Sequence, residues 1–383
     1  MENFRMVYTG SSYFGKGTRT ALLTEIKKRG FRKVMVVTDP GIERCGITEK
    51  VTDVLKNGSI PYTVFDRIKP NPTIENVQDG LSSFEAEKAD LLVAVGGGSV
   101  IDTAKAIAII ANNPENRDVI SLEGIDKNKK PGIPIIAFPT TAGTGSETTM
   151  DYVITNTKEK RKMSCMSSTG VPVAAILDTE LMAGLPVRMS AATGMDALTH
   201  AVESYLAKGA NIFSETLSIR AVSLIAEYLP KVIENPSDLD ARMTVAVAEY
   251  FAGMSFTNAG LGIVHSMAHP LSAFYDIPHG VANALILPYV LAFNSSACPD
   301  KMPKLLNAFC PDYVGDEDPA EICCARIRAL NQMAGLPSTL HEIGVKPEDI
   351  DLLALSAFKD VATLDNPRPV IIDDLKKLYQ QMF

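Results

Sequence analysis

LLVAVGGGSVIDTAKA, residues 91–106, runs from a continuous apolar stretch through three glycines into a helical pattern. An apolar run with no polar alternation is buried on both faces, as in a parallel strand covered by helices. Glycines placed directly after such a strand let backbone N–H groups and the positive end of the next helix approach a pyrophosphate. The run is neither the G-x-G-x-x-G fingerprint nor a P-loop with its Lys-[ST]. Alone, it reads equally well as a phosphate cradle and as a tight structural turn.

The same alternation extends outward on both sides. Strands are expected at 34–38 (VMVVT), 62–65 and 133–139, with helical patterns at 51–56, 73–88 and 100–111. Further short strands at 152–155 and 174–178 complete this half. From residue 186 the period changes, and long segments such as 211–229 and 239–256 repeat apolar residues at 3, 4 and 7. The expectation is two domains: 1–185 as an α/β, Rossmann-like nucleotide-binding domain, and 186–383 as an all-helical metal-binding domain of about eight helices. A cleft between such halves is the commonest place for a ligand.

The length of 383 residues suits two cores, and 46% hydrophobic with 21% charged residues is ordinary globular composition. A net charge of −8 argues against a nucleic-acid partner. No apolar run reaches the roughly 18 residues of a membrane span. MENFRMVYTG has no signal-peptide pattern, so a cytoplasmic protein without membrane partners is expected. The six cysteines contain no C-x-x-C pair and read as reduced, structural thiols.

A second loop, PTTAGTGSE (139–147), also follows a strand, and its small hydroxyl residues can reach phosphate and ribose. Two such loops at strand ends favour a nucleotide crevice more than either does separately. Asp39 closes the strand at 34–38. It is either a ribose-binding carboxylate, which would select NAD(H) over NADP(H), or an N-cap before Pro40.

Only five histidines occur, and His265, His269 and His279 share one window, HSMAHPLSAFYDIPH. Asp196 and His200 stand at i and i+4, as do His265 and His269, so each pair projects from one helix face. One carboxylate with several imidazoles suits Fe(II) or Zn(II) better than Ca or Mg. Spacing does not decide which three of the four histidines bind. Glu203 and Glu249 read as solvated helix positions or as partners of ligands. Phe256, Val153, Met267 and Phe274 suggest a small apolar pocket.

GGGSVIDTAKA (96–106), PTTAGTGSE (139–147), AATGMDALTHAVESY (191–205) and GLGIVHSMAHPLSAFYDIPHGVANALILP (260–288) together resemble the iron-containing (group III) alcohol dehydrogenase family from end to end. The resemblance implies a dehydroquinate synthase-like, iron alcohol dehydrogenase fold. It implies metal ligation by Asp196, His200, His265 and His279, with iron as the ion and zinc as the alternative. It implies NAD(H) contacts from Asp39, Asn71, Gly97, Gly98, Ser99, Asp102, Thr140, Thr141, Thr144, Lys162 and Leu181. His269 is then left near the substrate as the candidate for passing a proton, and small aldehydes and primary alcohols are the implied substrates. A homodimer joined through N-terminal strands is also implied. Ser272 stands where the family usually has glycine. Asp151 and Ala362 replace the Asn and Cys of similar sequences, and with Phe256 they are the candidates for lining the substrate pocket. Zinc glycerol dehydrogenases, dehydroquinate synthase-like lyases and non-catalytic NAD- or metal-binding proteins are the rival readings; the complete Asp/His set and the lack of basic residues around it disfavour them.

Overall fold

The computed structural model describes residues 3–159 and 161–383. Contacts divide the chain into two compact units, Met6–Gly184 and Leu185–Phe383, the second with residues 3–5.

The first unit begins with β1 (Ser12–Phe14), α1 (Ala21–Arg29), β2 (Val34–Val37), α2 (Pro40–Arg44), α3 (Ile47–Asn57), β3 (Tyr62–Phe65), α4 (Ile74–Glu87), β4 (Leu91–Gly96) and α5 (Gly98–Asn112). It continues through β5 (Gly124–Ile125), β6 (Ile135–Pro139), β7 (Asp151–Asn156), β8 (Arg161–Met166), β9 (Ala174–Leu177) and α6 (Thr179–Met182). Six strands form a parallel sheet in the order β1-β9-β6-β4-β2-β3. Successive side chains of a strand point to opposite faces, and both faces here are covered. Val34, Val36, Leu91, Val93 and Val95 pack with Leu22 and Ile26 of α1 and Val51 and Leu55 of α3. Met35, Val37, Leu92 and Ala94 pack with Val77 and Leu81 of α4 and Ile101 and Ala104 of α5. The apolar run that opens the sequence argument is therefore buried from both sides.

β3 lies on one side of β2 and β4 on the other, so the strand order reverses between β2 and β4. In open α/β sheets, ligands bind beyond the carboxyl ends of strands at such a reversal. Asp39 follows β2 and Gly97–Ser99 follow β4, which places both at the switch point.

Three strands carry no recognisable signal, one of them the two-residue β5. β1 is a three-residue edge strand. β8, RKMSCM, contains no β-branched residue, yet it pairs antiparallel with β7 and parallel with β5 in a separate three-stranded sheet. The expected strands at 152–155 and 174–178 thus fall in different sheets: β7 in the small one, β9 in the large one.

The second unit holds nine α-helices among the described residues: α7 (Val187–Leu206), α8 (Ile212–Glu234), α9 (Leu239–Ala259), α10 (Ile263–Tyr275), α11 (His279–Ser295), α12 (Met302–Phe309), α13 (Pro319–Met333), α14 (Ile350–Phe358) and α15 (Ile372–Gln380). Asn211 and Ser214 form a capping box at α8, and Asp238 caps α9 through the amides of Asp240 and Ala241. α7 is buried on nearly every side from Ser190 to Leu206, which marks it as the central helix, packed by α8, α9 and α11. No single helix among the described residues is long and apolar enough to cross a membrane. All six cysteines are free thiols.

Candidate functional site

The helical unit gathers its chemistry on α7, α10 and α11. At the start of α11 a Cβ on Gly280 would come within 2.3 Å of the Ala192 carbonyl oxygen of α7. Only glycine allows that approach, and it brings the neighbouring His279 to Asp196 of α7. His279 Nε2 lies 3.7 Å and His265 Nε2 4.0 Å from Asp196 Oδ1, and the three donor atoms lie within 4.8 Å of one another. Tetrahedral coordination with bonds near 2.1 Å would separate donor atoms by roughly 3.4 Å, so small side-chain shifts suffice to hold an ion. One carboxylate and two imidazoles are the donor set of a first-row divalent metal.

Asp196 and His265 are almost fully buried, whereas the His279 side chain is 27% exposed. His200, one turn beyond Asp196, is not in the group of three. Its ring stacks on that of His265 at 4.5 Å between centroids and on that of Phe256, also at 4.5 Å. His269 stacks on His279 at 5.4 Å. Each of the four histidine rings thus packs against another, and Asp196, His265 and His279 bring their donor atoms within 4.8 Å of one another.

Carboxylates set the state of these rings. Glu203 Oε2 lies 2.5 Å from His265 Nδ1, and Glu203 Oε1 accepts the Val264 N–H at 2.7 Å. With the Nδ1 proton directed at Glu203, the Nε2 lone pair faces Asp196. Burial, with His269 nearby, holds His265 down to about 3, so the ring is neutral. Burial likewise pushes Glu203 up to about 8, restrained by the N–H groups of Val264, His265 and Gly262. His269 Nδ1 lies 2.7 Å from Asp360 Oδ2. Burial acts upward on Asp360, but the charge and hydrogen bond of His269 and the Ala362 N–H outweigh it and leave the carboxyl below its usual range.

Glu203 and Glu249 are 4% and 1% exposed, so the solvated one of the two expected readings falls, and Glu203 takes the other by backing a histidine. Met267 is part of the helical core and Phe274 is exposed. Phe256 touches the cluster through His200, and Ala362 is buried next to Asp360. Two participants escaped sequence reading. Asp360 gives no local sign, being 91 residues from His269. Asn283, on α11 one turn past His279, contacts Asp196 Oδ1 at 2.6 Å, and its helical spacing was the available signal.

In the α/β unit, the glycine run and the second loop come together because β4 and β6 are neighbours, with Gly96 opposite Pro139. A Cβ on Gly98 would lie 2.7 Å from Thr144 Cγ2, and one on Gly97 would lie 3.2 Å from Thr141 Oγ1. Gly97 is the N-cap of α5, so the first N–H groups of that helix, including those of Gly98 and Ser99, have no partner within it. Thr140 is fully buried and its hydroxyl has no partner among the described residues. These are the features of a cradle for a phosphate-bearing cofactor.

Asp102 of α5 accepts from Ser146 Oγ at 2.5 Å and from the Val153 N–H at 3.0 Å, tying the second loop to the helix. Asp39 caps α2, its Oδ1 accepting from Gly41 and Ile42 at 2.7 and 3.0 Å. Asn71 takes a left-handed backbone (φ 53°), Lys162 lies opposite Thr155 on β8, and Leu181 is buried in the core of this unit. Asp151 begins β7, and its carbonyl accepts from Lys105 at 2.7 Å.

Residues 10–179 match the family described as iron-containing alcohol dehydrogenase, and residues 190–383 match the C-terminal part of the Fe-containing alcohol dehydrogenase family. The chain is 43% identical over 377 residues to lactaldehyde reductase of Escherichia coli (strain K12), covering 98% of each. A crystal structure of 1,3-propanediol oxidoreductase is similar with a TM-score of 0.96 and 38% identity, covering 100% of both chains. Sulfoacetaldehyde reductase from Bifidobacterium kashiwanohense, solved in complex with NAD+, is similar with a TM-score of 0.89 and 27% identity, covering 100% of this chain and 99% of that one.

Proposed function

Because the chain belongs to the iron-containing alcohol dehydrogenase family, and so is an oxidoreductase acting on CH–OH groups, we propose that it interconverts small aldehydes and primary alcohols with NAD(H) at a divalent metal centre. Lactaldehyde to 1,2-propanediol is the reaction put forward, on the 43% identity to lactaldehyde reductase. The observation that carries the reading is the convergence of Asp196 Oδ1, His265 Nε2 and His279 Nε2 within 4.8 Å. Iron is proposed as the ion on the family's description, and His200, adjoining His265, is proposed as the fourth ligand.

When bound, the ion would supply Lewis acidity at the substrate oxygen, and the nicotinamide would give or accept the hydride. The protein's part is to hold and to move protons. Glu203 keeps the His265 proton on Nδ1 and so keeps Nε2 available as a donor. His269 is proposed to pass the proton between the alcohol oxygen and solvent, with Asp360 bonded to Nδ1 to steady the ring as it gains charge. Gly97, Gly98, Ser99, Thr140, Thr141 and Thr144 are proposed to cradle the cofactor phosphates. Asp39 is proposed to select NAD(H) by repelling a 2′-phosphate. Asn71, Asp102, Lys162 and Leu181 are proposed to complete the cofactor contacts, and Asp151, Phe256 and Ala362 to border the substrate.

The test is a metal-defined kinetic panel of lactaldehyde, glycolaldehyde, propanal, butanal and ethanol, each with NADH or NADPH (NAD+ or NADP+ for ethanol). The reading expects aldehyde-dependent NADH oxidation that EDTA abolishes and that Fe(II) or Zn(II) restores. Activity indifferent to EDTA would defeat the metal assignment. A higher kcat/KM for another aldehyde would move the substrate assignment alone, which is a small step, since one methylene discriminates by only about 1–3 kcal/mol.

A further inference from the structure

The side chain of Asn283 occupies an unusual position. It is fully buried, and its amide nitrogen lies 2.6 Å from Asp196 Oδ1, 3.1 Å from His279 Nε2 and 3.3 Å from His265 Nε2. Its Oδ1, by contrast, is buried without a partner among the described residues. A buried amide that leaves its oxygen idle while its nitrogen faces three acceptors is placed by its donor side.

The three acceptors are the three atoms read above as metal donors. A neutral imidazole nitrogen has a single lone pair. At His265 and His279, that pair can receive an N–H of Asn283 or bind an ion, but not both. A carboxylate oxygen has two lone pairs, so Asp196 can do both at once. The amide also has only two hydrogens for three acceptors, so it bridges the cluster much as a cation would.

We propose that Asn283 is a placeholder for the ion: it holds Asp196, His265 and His279 together before loading and gives up its two histidine contacts as the metal binds. Its bond to Asp196 persists and orients that carboxylate. The proposal rests on reading the cluster as a metal centre. Asn283 is thus a positioning residue whose hydrogen bonds compete with coordination, so it should slow and weaken metal capture while keeping the donors convergent.

The test uses the full chain stripped of metal with a chelator. Affinity for Zn2+ and Co2+ is measured by chelator competition for wild type, Asn283→Ala, Asn283→Ser and Asp196→Ala, alongside melting temperatures of stripped and loaded forms. Both Asn283 variants are expected to bind either ion roughly tenfold more tightly, to melt lower when stripped, and to match wild type more closely when loaded. The Co(II) absorption spectrum of the loaded variants should match that of wild type, because Asn283 is not a ligand. Weaker or unchanged affinity in the Asn283 variants, with Asp196→Ala abolishing binding, overturns the placeholder and leaves the metal centre standing. A wild-type chain that takes up no ion overturns both. Crystals of stripped and loaded wild type provide a check that does not depend on any variant folding. The Nδ2 contacts to His265 and His279 should open beyond hydrogen-bonding range on loading while the Asp196 contact stays, and their persistence would overturn the proposal.

Discussion

Replacing Glu203 with Gln is expected to weaken metal binding while leaving the helical unit folded. The carboxylate of Glu203 takes two N–H groups, that of Val264 at 2.7 Å on Oε1 and the His265 ring at 2.5 Å on Oε2. Glutamine has the same shape but one acceptor oxygen. If that oxygen turns to His265, the new NH2 meets the Val264 N–H, two donors facing each other in a buried site. If it turns to Val264, the NH2 donates to His265 Nδ1 and drives the ring proton onto Nε2, the atom that faces Asp196. Each arrangement leaves a buried N–H or ring nitrogen without its partner, about 1–3 kcal/mol.

That energy is roughly ten- to a hundredfold in metal affinity, the range usual for loss of a carboxylate behind a ligating histidine. The assay is chelator competition with Zn2+ or Co2+, with a circular-dichroism melt to confirm the fold. An affinity within about threefold of wild type, alongside loss of binding in His265→Ala, would refute the reasoning, since it would show that Glu203 does not govern the His265 tautomer.

Three further outcomes are expected. His269→Ala should lower kcat by about a hundredfold or more with metal content unchanged, as for loss of a general acid–base group; loss of the ion would make His269 a ligand instead. Asp39→Ser keeps an oxygen to cap α2 but removes the charge, so the kcat/KM preference for NADH over NADPH should fall without a change in melting temperature, and an unaltered preference would reduce Asp39 to its cap. Lys105 donates to Thr149 Oγ1 and to the Asp151 carbonyl, and burial brings its ammonium down to about 8 against the pull of Asp102, Asp151 and Glu147. Between that value and the unfolded one near 10.5 the unfolded chain binds more protons. Wild-type stability should therefore gain up to roughly 3 kcal/mol as pH rises through this window. Urea midpoints of Lys105→Met should lack that rise, and equal slopes in the two proteins would refute the assignment.

Much of the architecture is legible because burial on both faces leaves a plain mark. LLVAV at β4 and VMVV at β2 are apolar without interruption because helices cover both sides of the sheet. The same rule hides β8, where Arg161, Lys162 and Ser164 alternate with buried Met163 and Cys165. It hides β1 as well, a short edge strand with no fully buried residue. Turn and cap chemistry is partly legible. Asp39 admits a cap or a ribose contact from sequence, and the cap is seen in the geometry while the ribose contact remains a proposal.

The candidate site divides along a different line. Helical spacing places Asp196 with His200 and His265 with His269, yet it cannot rank the histidines, since each pair satisfies the same periodicity. Their Nδ1 partners do not rank them either. His265 is backed by Glu203 and His269 by Asp360, so each ring is held by a carboxylate with Nε2 turned away from it. What separates them is where Nε2 points: that of His265 lies 4.0 Å from Asp196 Oδ1, where the approach of Gly280 to Ala192 also carries His279. Asp360 and Glu203 lie 91 and 62 residues from the rings they hold, beyond any local pattern. Asn283 sits at readable spacing, but an amide is not a type that ligand searches select. A sequence therefore discloses which atoms can donate to an ion; which of them are kept deprotonated and aimed is decided by contacts made only when α7, α10 and α11 have packed.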